Sequence, residues 1–182
     1  MKLIKTKIDG LILLKPNIFK DKRGYFIESF CQKSINRLLG NINFVQDNES
    51  KSFKGVIRGL HFQKPPYAQS KLVRCIEGEI LDVALDLRKN SRTYGMSETT
   101  LLTDTNKNQL FIPKGFAHGF AVLSQSAIIC YKVDDYYNPK SESGIIWNDS
   151  DLNIDWKIEK NEIIVSEKDS NLSKFNNFIS PF

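Results

Sequence analysis

The chain holds only two histidines, and each sits in a compact run of residues. His61 lies in Arg58-Gly59-Leu60-His61-Phe62-Gln63, and His118 in Pro113-Lys114-Gly115-Phe116-Ala117-His118-Gly119-Phe120. Two imidazoles could share a metal ion or act as bases. A catalytic metal needs three or four lone-pair donors, and the nearby Lys71 has none. A neutral imidazole beside a fixed ammonium suits another reaction. With a pKa of roughly 6.5, histidine can accept a proton near neutrality. An ammonium can hold the oxyanion that then develops. The pair therefore points to proton abstraction α to a carbonyl. Taken singly, His61 and His118 could be satisfied core histidines and Lys71 a surface residue; it is their combination that suggests a site.

Many short strands would have to carry these groups. Leu11–Leu14 reads as a strand closed by Lys15-Pro16-Asn17, and Asp21–Gly24 as a turn. Cys31–Leu39 is the one good early helix, with Gly40 as its C-cap. Strand signals then recur over Phe44–Asp47, Val56–Gln63, Lys71–Ile76, Glu79–Leu87, Glu98–Leu102, Gln109–Ile112, Gly119–Leu123 and Ile128–Val133. Short strands with tight turns predict a sandwich or barrel. A short helix is expected near Glu167–Leu172. Along Glu79–Arg88, Leu81, Val83, Leu85 and Leu87 share a face that reads as core. Asp82 and Asp86 share the other face, which meets either solvent or a polar barrel interior. Solvent is the simpler expectation, since a buried carboxylate needs partners.

At 182 residues the chain reads as a single domain, 1–182, able to bury its own core. With 41% hydrophobic and 26% charged residues it has a globular composition. No apolar run approaches the roughly 20 residues of a membrane helix. The formal charge of +5 is spread along the chain without a nucleic-acid-binding pattern, and it suits a small anionic ligand equally well. Cys31, Cys75 and Cys130 are an odd set without Cys-x-x-Cys spacing, and buried reduced thiols are expected. A cytoplasmic protein is the default.

The frame around the histidines is similar to that of the cupin superfamily of barrels. There the first motif supplies His-x-His and then a Glu six residues before a Gly, and the second supplies Pro-x-Gly-x-x-His. Here His61 and Gln63 fill the first pair, Lys71 stands in the Glu position before Gly78, and Pro113 to His118 satisfies the second motif. More specifically, the chain resembles the dTDP-4-dehydrorhamnose 3,5-epimerases. Phe44–Asn48, Val56–Gln63, Gln69–Arg74, Gly78–Arg88, Ile112–Phe120, Tyr131-Lys132, Tyr136-Tyr137 and Trp147-Asn148-Asp149 carry the resemblance, which runs from about Leu11 to about Asp169.

That resemblance implies a mainly β, cupin-type double-stranded β-helix (a jelly-roll barrel) with a few short helices. It implies a metal-independent isomerase without cofactor, which epimerises C3 and C5 of dTDP-4-dehydro-6-deoxy-D-glucose for surface-polysaccharide supply. A C3-only epimerase or a 3,4-ketoisomerase of a related 4-keto sugar nucleotide is the neighbouring alternative, and a non-catalytic or metal-binding barrel a more distant one. By match, His61 is the base, Asp169 orients it, Lys71 holds the enolate and Tyr131 is the opposite-face proton donor, with Tyr137 as competitor. Asp82 is expected to hold Lys71. Arg23, Glu28, Gln46, Asp47, Asn48, Arg58, His118, Glu142 and Lys168 match substrate-contacting positions. The family forms homodimers, so Arg23 and Glu28 are expected to serve the partner's site.

Overall fold

The computed structural model describes residues 1–182. In chain order the strands are β1 (Lys2–Lys5), β2 (Ile12–Lys15), β3 (Ile18–Asp21) and β4 (Gly24–Ile27). After helix α1 (Gln32–Leu39) come β5 (Gln46–Phe53), β6 (Ile57–Gln63), β7 (Lys71–Glu77), β8 (Glu79–Asp86) and β9 (Ser97–Thr103). They are followed by β10 (Gln109–Ile112), β11 (Phe116–Val122), β12 (Ser126–Val133), β13 (Glu142–Gly144) and the short helix α2 (Glu167–Ser170).

The strands form a six-stranded sheet in the order β1-β2-β10-β7-β12-β5 and a five-stranded sheet in the order β13-β6-β11-β8-β9. Every pairing between these strands is antiparallel. The inner faces of the two sheets pack against each other. Val73, Cys75, Ala127 and Ile129 of one meet Ile80, Ala84, Phe120 and Val122 of the other in a single apolar cluster. This is the sandwich that the regular short strands predict and the jelly roll that the family resemblance implies.

Both outer faces are covered as well. Leu14, Leu72 and Phe111 of the six-stranded sheet take Ile35 and Leu38 of α1 and the neighbouring Phe30 and Phe44. On the five-stranded sheet, Leu81, Val83, Leu85 and Leu87 take Trp156, Phe175, Phe178 and Phe182 of the segment that follows β13. Strand β8 is therefore buried on both faces, and this corrects the expectation of solvent for Asp82 and Asp86. Both carboxylates are fully buried, and burial demands partners. Asp86 accepts from Arg88, Ser91 and Thr93.

Several boundaries differ from those read in the sequence. The strand expected over Phe44–Asp47 runs over Gln46–Phe53, and the one expected over Gly119–Leu123 begins at Phe116. All seven residues of β11 are buried, so its pattern has no alternation to mark the start. The short β1, β3, β4 and β13 were not anticipated. Cys75 is buried as expected, but Cys31 and Cys130 are only half-buried. Strands β3 and β4 form a separate two-stranded hairpin turning at Lys22-Arg23, with Phe19, Tyr25 and Phe26 exposed. No helix is long and apolar enough to cross a membrane.

Candidate active site

Strands β6 and β11 lie side by side with His61 directly opposite His118. Glycines on both strands permit this close approach. Gly59 has φ +114, and a Cβ there would lie 2.7 Å from Gly119 Cα and from the His118 carbonyl oxygen. A Cβ on Gly119 would lie 2.7 Å from the Arg58 carbonyl oxygen. Only glycine satisfies both the backbone angle and the space.

Each imidazole is held by its own carboxylate. His61 Nε2 is 2.7 Å from Asp169 Oδ1, and Asp169 Oδ2 accepts the Gly59 N–H at 3.0 Å. Asp169 belongs to α2, and its own N–H donates to the capping Ser166 hydroxyl at 3.1 Å. Burial pushes the Asp169 carboxyl up, but the bonds from His61 and Gly59 outweigh it and hold it below its ordinary value. An ionised carboxylate only accepts, so Nε2 carries the hydrogen and the Nδ1 lone pair stays free in neutral His61.

His118 Nε2 is 2.9 Å from Asp82 Oδ2, and both side chains are buried. Burial lowers the pKa of His118 against the pull of Asp82. Asp82 therefore bonds His118 rather than Lys71, which corrects the expected pairing. Asp82 Oδ1 has no hydrogen-bond partner. Lys71 Nζ makes one long contact, 3.5 Å to the His61 carbonyl oxygen. Its pKa is lowered to about 8, chiefly by burial, against the opposing charges of Asp82 and Glu142. The ammonium is thus poorly solvated, with donors to spare.

Strand β12 supplies Tyr131, opposite Asn48 of β5 on one side and Val73 of β7 on the other. Residues directly opposite point to the same face of a sheet, so the inward row of β5 is Gln46, Asn48, Ser50 and Ser52. Burial raises the Tyr131 pKa, so the phenol keeps its proton at neutral pH. Two cavities, of about 510 and about 370 Å³, meet at His61, Lys71 and Tyr131. The larger also exposes Arg58, Ser50 and Lys168, the smaller Gln46, Asn48, Gln63 and Glu142.

Further groups shape the rim. Glu142 accepts the Tyr137 hydroxyl at 2.7 Å and pairs with Lys168 at 2.7 Å. Arg58 Nε donates to Ser52 Oγ at 3.0 Å. Gln63, which fills the second histidine position of the barrel frame, spends its amide on the main chain of Tyr67, Tyr136 and Asn138. No group of three or more His, Cys, Asp or Glu side chains is placed to hold a metal ion.

Ten of the thirteen sequence candidates thus line this cleft or bond to groups that do. Three do not. Asp47 is on the outer face of β5, paired with Lys132 at 2.6 Å. Arg23, in the exposed turn of the β3–β4 hairpin, pairs with Asp21. Glu28 follows β4 and accepts from Ser34. Sequence reasoning missed Ser50, Ser52, Ser166 and the His118–Asp82 pairing. The two serines carry a signal in retrospect: along β5 the uncharged Gln46, Asn48, Ser50 and Ser52 alternate with the charged Asp47, Glu49 and Lys51.

The chain matches the family described as dTDP-4-dehydrorhamnose 3,5-epimerase over residues 5–177. It is 49% identical over 176 residues to the dTDP-4-dehydrorhamnose 3,5-epimerase of Shigella flexneri, covering 96% of each chain. Its fold matches the crystal structure of dTDP-4-dehydrorhamnose 3,5-epimerase from Elizabethkingia anophelis with a TM-score of 0.92, at 50% identity and 97% coverage of both chains. A Legionella pneumophila dTDP-6-deoxy-D-glucose-3,5-epimerase, solved in complex with dTDP-4-keto-L-rhamnose, matches with a TM-score of 0.92 at 46% identity, covering 96% of this chain and 93% of the other.

Proposed function

The chain belongs to the dTDP-4-dehydrorhamnose 3,5-epimerase family, and on that premise we propose that it converts dTDP-4-dehydro-6-deoxy-D-glucose to dTDP-4-dehydro-L-rhamnose. The observation that carries this reading is the cleft in which a carboxylate-held imidazole, an ammonium of lowered pKa and a protonated phenol converge. In the proposed reaction, His61 Nδ1 takes the proton from a carbon beside the C4 carbonyl. The C–H electron pair moves to O4, and Lys71 holds the resulting enolate. Tyr131 returns a proton to the opposite face of that carbon. His61 sheds its proton to solvent, Tyr131 regains one, and the second carbon follows. Asp169 fixes the tautomer and supports the imidazolium. Every step is a proton transfer and the conversion is redox-neutral, so it needs no electron acceptor.

The remaining contacts follow from placement. Arg58 and Lys168 face the larger cavity and suit the diphosphate, since a guanidinium fork can bind two oxygens. Gln46, Asn48 and Glu142 face the smaller cavity with donors and acceptors for the nucleoside. His118, braced by Asp82, offers a polar contact to the sugar. The exposed aromatic hairpin carrying Arg23, and Glu28 beyond it, would complete the neighbouring cleft in a homodimer. Asp47 would then act from the outer face of β5. A single domain working in the cytoplasm, at the supply of deoxysugar for surface polysaccharide, accords with this substrate.

The test is reaction of the verified substrate in heavy water, followed by mass spectrometry and proton NMR. Deuterium should enter at both C3 and C5. Label at C3 alone would identify a monoepimerase, and the absence of label at both carbons would remove the enolate mechanism.

A further inference from the structure

Trp147-Asn148-Asp149 carries part of the resemblance in sequence, and the proposed reaction uses none of the three. Asp149 lines neither cavity of the cleft, yet it is buried. Its two carboxyl oxygens serve different stretches of chain. Oδ1 accepts from the Asp151 and Leu152 N–H groups at 2.9 and 3.2 Å, closing a local turn. Oδ2 accepts from the Phe175 N–H at 2.7 Å, 26 residues away.

Phe175 lies just beyond α2, and there the long bond acquires a consequence. Helix α2 has only four residues, too few to hold a shape of its own. The segment around it is an arch with a foot on either side. Before α2, Ile164 accepts from Ile57 at 2.9 Å and donates to Gly55 at 2.9 Å, at the start of β6. After α2, the Ser173 carbonyl accepts from Ile146 at 2.9 Å. Leu172 packs over Gly144, where a Cβ would lie 2.7 Å from Leu172 Cδ1. The second foot thus has one main-chain bond where the first has two, and the bond from Phe175 to Asp149 is its other polar tie. Asp169 hangs between the feet, bonded to His61 and Gly59.

We propose that Asp149 is a positioning residue for the base: by pinning Phe175 it seats α2, and so holds Asp169 on the His61 imidazole. This rests on the epimerase reading above for the identity of the base, whereas the pinning itself is measurable without substrate.

The test compares the intact protein with Asp149→Asn and Asp149→Ser. An amide has one acceptor oxygen in place of two. A serine hydroxyl can keep the local turn but falls short of Phe175. In the free protein, hydrogen exchange followed by NMR should be about 3- to 30-fold faster at the Gly59 N–H and the His61 Nε2–H in either variant, with the amides of β8 within about twofold of wild type. Only two histidines contribute ring signals. Turnover at saturating substrate should fall about threefold or more, as the base loses its fixed orientation. Exchange at Gly59 and His61 unchanged within about twofold, or turnover unchanged within about twofold, overturns the proposal. Exchange accelerated equally in β8, or loss of the folded protein in both variants, also overturns it, since Asp149 would then hold the fold as a whole. If the wild type puts no deuterium into the sugar, the epimerase reading alone falls, and exchange at Gly59 and His61 still decides whether Asp149 positions Asp169.

Discussion

Replacing Lys71 with methionine should make the free protein more stable while removing its activity. Methionine keeps the length of the side chain and deletes the charge. The half-buried ammonium has a single long contact, and its pKa falls from 10.5 to about 8. At 1.36 kcal/mol per pKa unit, that drop corresponds to about 3 kcal/mol held against the charged form. The opposing pull of Asp82 and Glu142 is already contained in that shift, so about 3 kcal/mol is the gain expected at pH 7 from deleting the charge. Urea unfolding of both proteins from pH 7 to pH 11 isolates the term, because groups common to both cancel in the difference. Between pH 8 and 10.5 the unfolded wild type still binds the proton that the folded one has released. Wild-type stability relative to the variant must therefore climb with pH through that window. The contribution is complete above 10.5 and is lost as pH falls through about 8. Activity should fall about 10³-fold or more in the variant, since the enolate loses its counter-charge. A variant less stable than wild type at pH 7, or a stability difference flat between pH 8 and 10.5, would refute this account of Lys71.

Three other perturbations probe separate parts of the chain. His61→Asn should cut deuterium incorporation at both carbons by about 10²- to 10⁴-fold, whereas Tyr131→Phe should keep exchange on the His61 face and lose inversion, as NMR of the recovered sugar would reveal. Asp86 is held at about 2, burial raising its pKa while the bonds from Arg88, Ser91 and Thr93 more than offset that. Its stabilisation, on the order of 2 kcal/mol, should be present above 3.8 and disappear as pH falls through about 2, a loss that acid unfolding of Asp86→Asn should not show. Gly59→Ala places a Cβ 2.7 Å from the His118 carbonyl oxygen and Gly119 Cα, so the urea midpoint should report a loss of about 2 kcal/mol or more.

What could be read without coordinates follows a physical line. Strands whose faces meet different surroundings announce themselves, as do residues whose chemistry is unusual for their setting, such as Lys71. Strand β8 misled because its second face is covered by Trp156, Phe175, Phe178 and Phe182, which are scattered along the segment after β13 and have no period to betray them. Asp82 then went inside, to His118. Asp47 and Asn48 are neighbours in sequence but lie on opposite faces of β5, so a shared motif could not tell which of them reaches the cleft. Tyr131 and Tyr137 were indistinguishable by composition. In the fold, Tyr131 bounds both cavities, while Tyr137 is more than half exposed and gives its hydroxyl to Glu142.

The carboxylate that braces His61 lies 108 residues beyond it and after the last strand of either sheet. A nascent chain that has released every strand up to Gly144 from the ribosome still lacks Asp169, and it lacks as well Trp156, Phe175, Phe178 and Phe182, which cover the outer face of the five-stranded sheet. Until α2 emerges and docks beside β6, the imidazole has no fixed tautomer and the cleft no tuned base. The last segment to be synthesised thereby completes packing and competence together. A chain stalled or terminated before that segment is both incompletely covered and inert, and so cannot enolise a reactive keto sugar before the enclosing site is complete.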